Sequence, residues 1–181
     1  MKKPTICAVL TSAAVVVVAA STLWAANADP IRLRARLTGF QEVPPKLTNA
    51  TGQFEAMVDP SRTSVSFVLR YSELTTPALF SHIHFGQPGV NGGIMVFLCN
   101  NTTSGPQPRA CPSRGGTISG TFTARDVIGP GPDNPATDQG ISPGNLRQVI
   151  RAILSGETYV NVHSQRFPSG EIRGKVNVVS R

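Results

Sequence analysis

The three histidines of the chain fall in two short segments. His82 and His84 stand one residue apart in SHIHFG (81–86), and His163 lies in YVNVHS (159–164). Imidazole nitrogen suits zinc and copper, and three such ligands leave one position open for water or a substrate. On a strand, side chains at i and i+2 share a face and are rooted roughly 6.5–7 Å apart. Two imidazoles can converge on one ion from there, and a third from an adjacent strand completes the set. The plainer alternative is a pair of histidines on a wet strand face, because a spacing needs its structural context. Parity bears on the choice. His82 and His84 share a face with Phe80, and Ile83 takes the other; His163 shares its face with Tyr159 and Asn161, and Val160 and Val162 take the other. The aliphatic faces turn inward. The histidines are therefore expected on the outer face or at its rim, beneath loops.

The surrounding segments read as strands. IRLRARL (31–37) alternates strictly, with Ile31, Leu33, Ala35 and Leu37 on one face and three arginines on the other. GQFEAMV (52–58) and TSVSFVLRY (63–71) alternate around the turn residues DPSR, as a hairpin should. LFSHIHF (79–85) and the apolar run IMVFLC (94–99), fit for burial on both faces, flank the turn GQPGVNGG. GTISGTFTA (116–124), TYVNVH (158–163) and EIRGKVNVV (171–179) supply the remaining strands. Leu146, Val149, Ile150, Ile153 and Leu154 recur at helical spacing, with Ser142 as N-cap, Pro143 at the first position and Gly156 as the stop. The Pro/Gly-rich stretch 129–144 is long for a loop, and such loops often cover a functional site. About eight short strands and one helix imply an antiparallel β-sandwich or flattened barrel.

The first 28 residues read as a secretory signal: Lys2 and Lys3, an apolar stretch from Ile6 to Ala20, then small residues at Ala26 and Ala28. Cleavage before Asp29 leaves one domain over 29–181, with no later segment apolar enough to span a membrane. Secreted or extracytoplasmic placement, in the periplasm or at a cell surface, follows. Cys7 leaves with the signal, so Cys99 and Cys111 are expected to form a disulfide. The remaining 15 Lys+Arg against 10 Asp+Glu are dispersed, with Arg32, Arg34 and Arg36 the one dense group. Aromatics are sparse and no nucleic-acid motif occurs, so the excess reads as surface charge and no nucleic-acid partner is expected. No nucleophile elbow, phosphate-binding loop or dinucleotide fingerprint is present.

ARLTGFQEVPP (35–45), SHIHFGQPGVNGGIMVFL (81–98) and YVNVHSQRFPSGEIRGKV (159–176) resemble the three signature blocks of the CHRD domain, named after chordin and found in many exported bacterial proteins. In chordin the repeats belong to an extracellular antagonist of growth factors, and a single copy implies no more than an unknown extracellular ligand. FSHIHFG and YVNVHS also resemble histidine strands of copper/zinc superoxide dismutases, whose fold is a flattened Greek-key barrel. That likeness places His82, His84 and His163 on three of four copper ligands; the fourth histidine and the zinc cluster have no counterpart here. The expectation is thus all-β: an antiparallel Greek-key β-sandwich or flattened barrel of about eight strands with one inserted helix. Copper is the first choice of metal and zinc the second, with a role in metal handling or oxidant chemistry. The rival expectation is a non-catalytic binding module with no metal. Glu42, Asn161, Glu171 and Arg173 are candidates for the shell behind the ligands. Glu171 and Arg173 are expected to pair, and Asn161 to orient His163.

Overall fold

The computed structural model describes residues 29–130 and 138–180. Residues 1–28, read above as a secretory signal, and the centre of the long Pro/Gly stretch lie outside the described residues. β1 (Ile31–Thr38), β2 (Thr51–Val58) and β3 (Ser64–Ser72) form an antiparallel meander. β4 (Ala78–Phe85) and β5 (Gly93–Asn100) form a hairpin, and β6 (Gly116–Thr123) returns to pair with β3. α1 (Leu146–Leu154) then leads to β7 (Thr158–Ser164), which enters between β4 and β8 (Ile172–Lys175). The resulting path is β5-β4-β7-β8-β1-β2-β3-β6, and β9 (Asn177–Ser180) also pairs with β1. The two ends of the path approach each other where Val96 of β5 bridges Val127, just past β6. One nearly closed antiparallel sheet makes this the flattened barrel of the two expected forms.

Alternation drives the closure. Leu33, Leu37, Phe54, Val58, Val65, Leu69, Ile83, Val160, Val162 and Ile172 are each at most 2% exposed and fill the interior. α1 adds Val149, Ile150 and Ile153 to the same core.

Two expectations about element ends are corrected. EIRGKVNVV is two strands, not one. Val176 still donates its N–H to Thr158 O of β7 at 2.9 Å, and beyond it the chain passes to β1, where β9 pairs Asn177 with Arg34. The N-cap of α1 is Asn145, whose side chain accepts from Gln148 N at 3.2 Å; Ser142 and Pro143 belong to the turn before it. Asparagine satisfies the free N–H groups of the first turn as well as serine does. Gly156, with φ +79°, ends the helix as read.

Cys99 and Cys111 are joined across a sequence separation of 12. The disulfide ties the loop after β5 to the barrel, with Asn101 accepting from Cys111 N and donating to Ala78 O. Closing a loop of this length removes unfolded-state entropy worth about 3 kcal/mol. Cys99→Ser with Cys111→Ser is expected to lower unfolding stability in urea by about that amount while leaving the far-ultraviolet circular dichroism intact.

Candidate metal site

The pairing of β4 with β7 places the histidines. Phe80 pairs with His163, His82 with Asn161 and His84 with Tyr159. Paired residues share a face, so these six side chains form one patch opposite Ile83, Val160 and Val162. On the other flank β5 carries one extra residue at Leu98 and another at Met95, which set Phe97 opposite His82 and Ile94 opposite His84. Such bulges re-aim side chains. The Phe97 ring lies 4.1 Å from that of His82, edge to face, and Phe80 lies 4.8 Å away.

The patch is on the outside of the barrel, yet His82, His84 and His163 are only 2%, 7% and 6% exposed. Loops cover it. Arg173, paired with Asn161 across β7 and β8, donates to Gln87 O at 3.0 Å, Val90 O at 2.6 Å and Asn91 Oδ1 at 3.2 Å. Asn91 in turn donates to Val43 O at 3.3 Å, joining the turn 86–92 to the loop after β1. The Arg173 guanidinium also sits 3.3 Å above the Tyr159 ring, and Tyr159 stacks on His84 at 4.6 Å, nearly parallel.

Backbone carbonyls fix two of the rings. His84 Nδ1 contacts Gly92 O and His163 Nδ1 contacts Pro168 O, each at 2.9 Å. A carbonyl only accepts, so Nδ1 carries the proton and Nε2 keeps its lone pair. Both Nε2 atoms, and both nitrogens of His82, are buried with no hydrogen-bond partner. Among the described residues, six of nine such unpartnered buried atoms lie on these histidines, Glu42 and Asn161. The three histidines offer nitrogens that all lie within 4.8 Å of one another. A shared ion at 2.0–2.1 Å asks for roughly 3.4 Å, a difference within reach of modest turns of the broad imidazole torsion.

Burial keeps the rings neutral, the form that binds metal. It pushes His82 down to about 2, aided by the neighbouring His163 and His84 charges. It pushes His84 and His163 down to about 4, against the opposing pull of their carbonyl partners. Burial drives Glu42 the other way, up to about 7, partly offset by the Val43 N–H and by Arg173.

A family model, the CHRD domain, matches residues 33–176. The chain belongs to the CHRD family. No curated protein and no solved structure matched it. The described residues of this CHRD domain contain no helix long and apolar enough to cross a membrane, and its disulfide is consistent with an extracellular location.

Within the CHRD domain the four candidate supporting residues divide. Glu42 is 3% exposed and lies beside Asn161 and Arg173. Asn161 adjoins Glu42 and His84; it is Pro168 O, not Asn161, that bonds the ring of His163. Glu171 does not pair with Arg173. Its carboxylate accepts from Thr48 Oγ1 at 2.8 Å, Thr75 N at 3.0 Å and Thr75 Oγ1 at 3.2 Å, pinning two loops. Three donors satisfy it better than one guanidinium already held by loop carbonyls. The carbonyls of Gly92 and Pro168 and the ring of Phe97 were not singled out from the sequence. A backbone oxygen leaves no mark in residue type, and only the turn-forming glycines and proline hinted at those loops.

The shifts set a pH dependence for the metal-free protein. Between pH 4.5 and 6.5 the unfolded chain binds protons on three histidines that the folded chain leaves free, so stability falls as pH drops through this window. Glu42 opposes: its contribution is complete below pH 4.5 and is lost as pH rises through 7. Three histidines outweigh one carboxyl. Urea unfolding is expected to show stability rising with pH across 4.5–6.5 with a slope of about two protons, and Glu42→Gln is expected to steepen it.

Proposed function

We propose that this CHRD-domain protein binds one transition-metal ion, preferentially copper, through His82, His84 and His163. It acts outside the cytoplasm once the segment over 1–28 is removed, in metal handling or oxidant chemistry at the coordination position that three ligands leave open. The observation that carries this reading is the set of four buried, unpartnered imidazole nitrogens gathered on one patch. Each would otherwise cost about 1–3 kcal/mol, and a module without metal gives no reason for collecting them.

The preference for copper has two supports. One is the likeness of the histidine strands to those of copper/zinc superoxide dismutases. The other is charge: three neutral nitrogens beside Phe80, Phe97 and Tyr159 leave the ion's own charge uncompensated in a buried place. Burying a charge is costly and the cost rises with its size, so monovalent copper is favoured over a divalent ion, with zinc second.

Titration of the purified protein with copper and with zinc, read by bound metal per chain, tests the site. One copper per chain is expected. His82→Phe should abolish binding while raising the stability of the metal-free protein, because it removes two unpartnered nitrogens between two aromatic rings. A variant that is less stable without metal, or a wild type that takes up neither ion, would contradict the reading. Arg173→Met should weaken copper binding about tenfold without loss of fold, since Arg173 holds the loop whose Gly92 carbonyl sets the His84 ring.

A further inference from the structure

The opposite wall of the barrel carries a second feature, independent of the histidines. Arg32, Arg34 and Arg36 project from β1 on its outer face, all exposed. Successive guanidinium roots on one strand are roughly 6.5–7 Å apart. The register extends the row sideways: Arg36 pairs with Gln53, which pairs with Arg70 of β3. Arg34 pairs with Glu55, the one carboxylate on this part of the sheet. Glu55 contacts Arg34 at 3.1 Å and Arg70 at 3.6 Å, leaving Arg32 and Arg36 without an ion pair among the described residues. Four cations thus face one anion. Beside Arg34, Arg36 and Arg70 lies a shallow depression of about 530 Å³, whose polar lining also includes Gln53, Thr51 and Ser72, with the buried Tyr71 beneath.

We infer that this face binds an extended acidic polysaccharide. Guanidinium forks match carboxylate and sulfate groups in pairs, and a strand presents them at a regular repeat. Gln53 between Arg36 and Arg70, and Thr51 and Ser72 in the row beside them, suit sugar hydroxyls. The outward residues of β1, β2, β3 and β6 include no aromatic ring, so the face has no platform for stacking bases. Exposed pairs such as Arg34–Glu55 add little to stability, so the arginines are free to exchange partners.

The test is binding of the full chain to polygalacturonate, dextran sulfate, neutral dextran and duplex DNA at about 0.15 M salt, where exposed charges are screened beyond about 8 Å. Arg36→Glu/Arg70→Glu is compared with Arg147→Glu/Arg151→Glu, an equal charge change on the exposed side of α1. The sheet variant should weaken polygalacturonate and dextran sulfate binding at least tenfold and the helix variant less than twofold. Arg36→Gln/Arg70→Gln provides the same comparison if the reversed variant folds poorly. Equal losses in the sheet and helix variants, equal binding of DNA, or no binding of either acidic polymer would overturn the inference.

Discussion

Everything around the histidine patch follows from one constraint: imidazole nitrogens on the outside of a barrel have been sealed from water without receiving protein partners. A strand face that looks away from the core would ordinarily hydrate such groups. Here loops lie over it, fastened by polar groups on the strands, beside them and within the turns. Arg173 fastens the turn 86–92 through three acceptors, Asn91 links that turn to the loop after β1, and Glu171 fastens the segments around Thr48 and Thr75. Buried charges of this kind are costly unless fully bonded. Their bonds go to backbone groups, hydroxyls and the Asn91 amide of the loops, which fastens the cover to the barrel wall.

The cover also supplies chemistry. Gly92 accepts from His84 through its carbonyl and donates its N–H to Tyr159 Oη at 3.2 Å, so one residue orients a ring and the ring stacked on it. A side chain there could not fit, since a Cβ on Gly92 would fall 1.7 Å from Phe85 O. Gly170 is constrained likewise: it has φ +124°, and a Cβ would fall 2.3 Å from Glu42 Oε1. These two glycines allow loops to close on the patch tightly enough to exclude water.

Much of this was legible in the residues. The parity of His82, Ile83 and His84 put the histidines opposite the core, and the strict alternation of β1 to β3 marked the barrel wall. The disulfide followed from two cysteines. What lay hidden was set by geometry that residue types do not encode. Two bulges in β5 bring Phe97 over His82, where a plain apolar run was visible. Glu171 and Arg173 are two residues apart and read as one strand face, and so looked like partners; Glu171 precedes β8, and separate loops claim each of them. The break at Val176 is a change of partner strand from β7 to β1, and the start of α1 at Asn145 turns on one capping hydrogen bond, neither of which the sequence pattern marks.

The central claim is that His82, His84 and His163 share one ion. X-ray absorption on the copper-loaded protein addresses it most directly. The account predicts about three nitrogen neighbours near 2.0 Å, each showing the outer scattering of an imidazole ring. A spectrum dominated by oxygen or sulfur neighbours, or by a single imidazole, would contradict it.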